Sequence, residues 1–203
     1  MATIYDLKPR FQALLRPVSD ALVRARLSAN DVTLGALLLS AAHGAWLALM
    51  PESPWPLLLL PVTLFVRMAM NAIDGMMAKE HGQASAAGAV LNELSDVIAD
   101  AALYLPFALI PGVNGMLVVL VVIAGIVAEM AGALGPLVKA PRGYAGPLGK
   151  SDRAFAFGLL AVLLGLGLPP GLWTTLYLAA LLVSGDAVNP VAGGVGLLFS
   201  LWC

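Results

Sequence analysis

One cysteine, two histidines and a low share of charge set the first limits on this chain. Cys203 is the sole cysteine, so neither a disulfide framework nor a cysteine-built metal site can form within one chain. His43 and His81 have no His or Cys neighbour at ligand spacing, which leaves them as packing or interfacial residues. Charged residues make up 11% of the 203 and aromatic residues 7%. No basic patch is interleaved with aromatics, which argues against a nucleic-acid partner. No Ser/His/Asp or Cys/His arrangement is readable, and no internal repeat. The opening run MATIYDLKPRFQALL is broken by charges and has no apolar core, so it does not read as a cleavable signal.

What is abundant is apolar surface. The chain is 60% hydrophobic with a mean hydropathy of +0.91, the composition of an all-α, polytopic membrane protein. Residues 4–26 read as an interfacial amphipathic helix. Phe11, Leu14, Leu15, Val18, Leu22 and Val23 keep helical spacing among five basic residues, and Pro17 is expected to kink or restart it. Residues 32–203 read as a transmembrane bundle of six helices. The first covers about Val32–Met50, capped by Asn30 or Asp31, and the second runs from about Trp55 past Lys79. The third spans about Ser85–Ile110, the fourth Gly115–Val138 and the fifth Arg153–Leu168. The sixth starts near Leu172, and its course is open after Ser184. The first span would serve as the insertion signal.

Basic residues set the orientation. Lys8, Arg10, Arg16, Arg24 and Arg26 precede the first span, Arg67 and Lys79 bracket the second connection, and Lys139, Arg142, Lys150 and Arg153 flank the fourth. The alternate turns have none. By the positive-inside rule the N-terminus and the Asn71–Asp100 stretch are expected on the cytoplasmic side of the membrane.

The chain's chemistry concentrates between Asn71 and Asp100. A carboxylate at bilayer depth costs about 2.5–3.5 kcal/mol on insertion scales, so Asp74, Glu93, Asp96 and Asp100 need counter-charges or a polar cavity. Asn71 and Asp74 share a helix face. With Asn92 at zero and about 100° per residue, Asp96 falls near 40°, Asp100 near 80° and Glu93 near 100°, one polar stripe. Two such stripes facing each other make an acidic pocket suited to divalent cations and phosphate.

The spacing Asn71-x2-Asp74-Gly75-x2-Ala78-Lys79-x8-Gly88-x3-Asn92-x3-Asp96 resembles the D-x2-D-G-x2-A-R-x8-G-x3-D-x3-D pattern of the CDP-alcohol phosphotransferases, also called CDP-alcohol phosphatidyltransferases. The chain departs from it at three positions: Asn71 and Asn92 replace the first and third Asp, and Lys79 replaces Arg, an arrangement similar to that of a bacterial subgroup. The resemblance implies one membrane domain over 1–203 that transfers a phosphatidyl group from CDP-diacylglycerol to an alcohol and releases CMP. It implies Mg2+ or Mn2+ held by Asn71, Asp74, Asn92 and Asp96, with Asp96 also the catalytic general base. Nucleotide binding falls to Asp74, Gly75, Ala78, Lys79 and Gly88, and a homodimer in membrane lipid is the family's usual state.

An Asn carbonyl ligates a hard cation but brings no charge. Glu93 or Asp100 is therefore the candidate to restore one, against the plainer reading of an ion pair with Lys79, Arg67 or Lys150; a single-metal site, or metals that arrive with the nucleotide, is the rival. Gly75, Ala78 and Gly88 are small where the second and third spans are expected to approach. Lys79 keeps the charge of Arg without its bidentate fork. Lys150 and Arg153, with Lys139 and Arg142 nearby, are candidates for a phosphate on the acceptor or the donor lipid, with flanking charge as the alternative. Glu129 either pairs with Arg153 or lines the acceptor pocket. Basic residues beside the site make glycerol 3-phosphate the first acceptor to consider. A small transporter or ion pathway, and a catalytically inactive member acting as a membrane partner, are the competing functions. A transporter would more often show inverted repeats or broken helices, and neither is visible.

Overall fold

The computed structural model describes residues 7–134 and 150–186, and every described regular element is helical. Lys139, Arg142 and the chain after Asp186, including Cys203, lie outside the described residues. There are seven α-helices in that part: α1 (Leu7–Arg24), α2 (Ala29–Leu49), α3 (Pro54–Glu80), α4 (Ala86–Tyr104), α5 (Gly115–Leu134), α6 (Lys150–Gly165) and α7 (Leu172–Asp186). A 3₁₀ turn, Leu105–Leu109, follows α4.

The helix ends follow from local chemistry. Ser28, not Asn30 or Asp31, is the N-cap of α2: its hydroxyl accepts the Asp31 N–H at 3.2 Å, and the Asp31 carboxylate accepts the Ser28 N–H at 2.7 Å. This reciprocal box satisfies two otherwise orphaned donors. Ser85 caps α4 through the Gly88 N–H at 3.0 Å. The helix expected to reach Ile110 stops at Tyr104, because Pro106 has no N–H and cannot continue the ladder. Pro17 sits inside α1 without dividing it. At the end of α6, Gly167 takes φ +89°, and its N–H and that of Leu168 return to Leu164 and Leu163. Such a left-handed cap is cheap only for glycine.

Among the described residues three helices are long and apolar enough to cross a membrane: Ala29–Leu49, Pro54–Glu80 and Gly115–Ala133. Helix α3 has 27 residues, which at 1.5 Å each gives about 40 Å against about 30 Å of hydrocarbon. Helix α4 carries three carboxylates, α6 is 16 residues long, and α7 contributes the shorter apolar stretch Leu172–Val183.

Helix α2 is the hub. It packs on both α3 and α4, while α6 and α1 lie against α3, and α5 against α7 and the 3₁₀ turn. Gly44 makes the α2–α4 contact possible, since a Cβ there would stand 1.9 Å from the Ala102 carbonyl oxygen. The apolar core joins Leu47, Leu60, Leu103, Phe107, Val121 and Leu160, and stacks Tyr104 on Phe157 with centroids 4.2 Å apart. Buried His43 bridges the Pro56 carbonyl and the Thr63 hydroxyl, both at 2.8 Å, the packing role expected of it. Helix α1 is tied to the end of α3 by Arg16–Glu80 at 2.8 Å and His81–Asp20 at 3.2 Å, and by the Phe11–Phe65 edge contact.

The expected close approach at Gly75, Ala78 and Gly88 is not what forms. A Cβ on Gly75 would meet nothing within 4 Å, and one on Gly88 would meet Asn30 of α2 at 2.9 Å. Helices α3 and α4 both rest on α2, and side chains rather than backbones span the gap between them.

Candidate functional site

The site is that gap, lined from α3, α4 and α6. Asn71 and Asp74 lie one turn apart on α3 and share a face. Asn71 donates its amide N–H to Asp96 Oδ1 of α4 at 2.9 Å, so the α3 and α4 stripes do meet. Asp74 accepts the Thr33 hydroxyl of α2 at 2.7 Å. Lys150, at the start of α6, places its ammonium on Asp96 Oδ2.

Deeper in the gap is a ladder of ion pairs. Arg67 of α3 donates to Asp100 Oδ1 at 2.5 Å, to the Asp96 carbonyl at 3.0 Å and to Asp96 Oδ1 at 3.3 Å. Arg153 of α6 donates to Asp100 Oδ2 at 2.6 and 3.0 Å, to the Gly125 carbonyl at 3.4 Å, and to Glu129 of α5. Gly125 leaves the room: a Cβ would stand 2.7 Å from Arg153 Cδ. Arg67, Asp74, Asp96, Asp100, Glu129 and Arg153 are all at most 7% exposed. Buried charges on this scale persist only when paired and hydrogen-bonded; the alternation of acid and base supplies both for all of these but Asp74, which has the Thr33 hydroxyl.

This geometry sorts the residues named from sequence. Asn71 meets Asp96, and Asp74 lies one turn along α3 from Asn71 with its carboxylate on Thr33, while Asn92 is half-buried one turn before Asp96 on α4. Asp100 has both carboxylate oxygens engaged by guanidinium groups, which is its ion-pair reading and not a ligand's. Arg153 is enclosed between Asp100 and Glu129, so it is not presented to a substrate phosphate, and Glu129 is its partner. Lys150 remains accessible, with 23% of its side chain exposed. Lys79 lies exposed in the last turn of α3, Gly75 and Ala78 are half-buried beside Asp74, and Glu93 is half-buried on α4.

One residue escaped sequence reasoning: Thr33 carries no pattern that marks a hydroxyl for a carboxylate 41 positions away. Arg67, which reads from sequence either as flanking charge or as an ion-pair partner of Asp100, takes the second role inside the apolar run of α3.

Oxygen donors alone, from the Asp74 and Asp96 carboxylates and the Asn71 and Asn92 carbonyls, suit a hard divalent cation such as Mg2+ or Mn2+. The donor chemistry therefore fits such an ion. Among the described residues, however, no three His, Cys, Asp or Glu side chains cluster to hold one.

Comparison with known proteins gives the same direction. A family model described as CDP-alcohol phosphatidyltransferase matches residues 26–189. The chain is 44% identical over 189 residues to "Inner membrane protein YnbA" of Escherichia coli (strain K12), an alignment covering 92% of this chain and 94% of that protein.

Proposed function

The chain belongs to the CDP-alcohol phosphatidyltransferase family, and from that membership we propose that it transfers a phosphatidyl group from CDP-diacylglycerol to an alcohol and releases CMP. The observation that carries the reading is the meeting of Asn71 and Asp96 across the gap, with Asp74 one turn along, inside otherwise apolar helices. Glycerol 3-phosphate is the first acceptor, because Lys150 stands accessible at the rim of the gap. Asp74 and Asp96, with the Asn71 and Asn92 carbonyls, would hold a divalent cation, which would supply neutralising charge for the pyrophosphate and the CMP leaving group.

The chain's own residues perform the rest. Asp96 accepts the proton of the acceptor hydroxyl, whose oxygen attacks the lipid-side phosphorus while the bond to CMP breaks and its electrons leave with CMP. Arg67 and Asn71 hold the Asp96 carboxylate in one orientation, which spares reorganisation during transfer. The open space beside Gly75 admits the cytidine nucleotide. Lys79 offers a point charge to a phosphate.

In the same reading α2 to α7 form a six-span bundle in a bacterial inner membrane, α1 lies along the cytoplasmic interface, the gap opens to the cytoplasm, and the protein is a homodimer. The distribution of basic residues supports the sidedness. The deciding experiment is CMP release from CDP-diacylglycerol by purified protein with Mg2+ or Mn2+, across glycerol 3-phosphate, inositol phosphate, glycerol and serine. Acceptor-dependent CMP supports transfer. A folded protein that releases no CMP with any of them points to an inactive partner protein or a transport pathway.

A further inference from the structure

Arg26 holds a backbone shape that this chain otherwise gives to glycine. Among the described residues the left-handed positions are Gly82 (φ +69°), Gly112 (+84°), Gly167 (+89°) and Arg26 (+63°). Arg26 closes α1 as a C-terminal glycine usually does: its N–H returns to the Val23 carbonyl at 2.9 Å, and that of Leu27 to the Leu22 carbonyl at 3.0 Å. A Cβ is unfavourable there, so the turn alone would select glycine. What arginine adds is a guanidinium at the elbow between α1 and α2. The surroundings leave that group free. Of the carboxylates on α1, the start of α2 and the end of α3, Asp20 pairs with His81, Asp31 with its own cap at Ser28, and Glu80 with Arg16. Arg24 and Arg26 are exposed and have no hydrogen-bond or ion-pair partner among the described residues.

Helix α1 also carries a second apolar face. Leu15, Leu22 and Val23 pack against α2 and α3. Beside that seam, at about 100° per residue, Leu14, Val18, Ala21 and Ala25 fall within about 60° of one another, and all four are exposed. Arg24 lies about 90° round from this stripe, and Leu27, just past the elbow, is exposed as well. An outward apolar stripe with unpaired arginines at its edge suits a lipid surface, where acyl chains take the stripe and headgroup phosphates take the guanidiniums. The planar fork of arginine matches phosphate better than a point charge does. We propose that the α1–α2 elbow is a binding site for the phosphate of an anionic membrane phospholipid, held by Arg26 and Arg24 while Leu14, Val18 and Leu27 meet the acyl chains. The site lies on the outer side of α1, whereas the gap is lined from α3, α4 and α6. It rests on the membrane placement of the helices and not on phosphatidyl transfer.

The test is the melting temperature of the full chain in detergent micelles, titrated with dioleoyl phosphatidylglycerol, dioleoyl phosphatidylcholine or inorganic phosphate, without nucleotide or acceptor. Wild type is expected to gain stability from phosphatidylglycerol and much less from the other two. Without lipid, Arg26→Gly should melt at or above wild type, because the left-handed turn loses its Cβ. It should nevertheless need about fivefold more phosphatidylglycerol for half the effect, and Arg26→Gly with Arg24→Gln about twenty-five-fold more. Arg26→Lys keeps the charge and should stay within about twofold of wild type. Lys79→Gln, on α3, should respond as wild type does. The proposal is overturned by free phosphate or phosphatidylcholine acting as well as phosphatidylglycerol, or by an unchanged response in the double variant. A response that Lys79→Gln abolishes, or an Arg26→Gly protein that melts below wild type without lipid, overturns it too. CMP release from the same preparations keeps the two readings apart. Its loss with the lipid response intact retires transfer alone, and its presence without any response to phosphatidylglycerol retires the elbow site alone.

Discussion

Arg67 touches two carboxylates and a backbone carbonyl from one guanidinium, so its removal leaves Asp100 Oδ1 without a cation, with Arg153 holding Oδ2 alone, and loosens Asp96 as well. Breaking one side of a buried pair typically costs about 3–5 kcal/mol, most of it the penalty on the charge left behind. Arg67→Met should therefore lower the melting temperature sharply in detergent. Adding Asp100→Leu should recover much of the loss, although Arg153 then keeps Glu129 alone. A melt in which the double variant is worse than the single one would show that Asp100 is not the stranded partner. Asp96→Asn makes a different claim, because the side chain keeps its shape and loses its ability to take a proton. CMP release should fall by about a hundred- to ten-thousand-fold, the usual range for a positioned base, in protein that still folds but melts lower, because Arg67 and Lys150 lose the charge they face. Turnover within a few-fold of wild type would remove Asp96 from the role of base. The facing of the two polar stripes, which brings Asn71 to Asp96, was legible because fixed gaps along two helices survive any detail of packing. The Arg153–Glu129 pair was one of two readings open for Glu129, whereas the Thr33–Asp74 contact was not legible, since nothing in a local pattern selects a partner 41 residues away.

At the level of helices, two glycines with opposite surroundings separate packing from function. A Cβ at Gly44 would meet backbone, the Ala102 carbonyl oxygen at 1.9 Å, and no side chain can turn aside to admit it. Gly44→Ala must push α2 and α4 apart, at or above the usual overpacking cost of about 1–3 kcal/mol, and a clear drop in melting temperature checks it. Gly75→Ala meets nothing within 4 Å, and alanine favours a helix over glycine by about 1 kcal/mol. Its melt should hold or rise, while KM for the CDP-linked donor rises if that space takes the nucleotide. A fall in stability at Gly75 equal to that at Gly44 would mean the helices close there after all. The contrast also explains one expectation that failed. Consecutive helices of a bundle are natural neighbours, so small residues on α3 and α4 read as a contact between them. The bulk of the interface instead lies on α2, where Gly44 sits among apolar residues that give no sign of which helix they will face. Ser85 marks the start of α4, whereas the cap of α2 falls on Ser28 and not on the expected Asn30 or Asp31, and Pro106 ends α4 at a place that apolar content alone runs past.

For the molecule as a whole, charge placement makes a claim that the helices alone do not. The described turns 51–53 and 81–85 lie at opposite ends of α3, which is long enough to separate them by a bilayer. Helix α1, rich in arginine, is tied by Arg16–Glu80 and His81–Asp20 to the end near residue 81. If arginines and lysines stay cytoplasmic, that end and the mouth of the gap face the cytoplasm, and soluble acceptors reach it directly. Cysteine labelling decides this in intact cells on a Cys203→Ser background. Glu52→Cys and Ala84→Cys both place the thiol at exposed turn positions. An impermeant maleimide should reach position 52 once the outer membrane is opened, and position 84 only after the inner membrane is broken. The reverse pattern would put the gap on the periplasmic side, where CDP-diacylglycerol and cytoplasmic phosphate esters are not delivered, and transfer as proposed would lose its substrates before any question of catalysis arose.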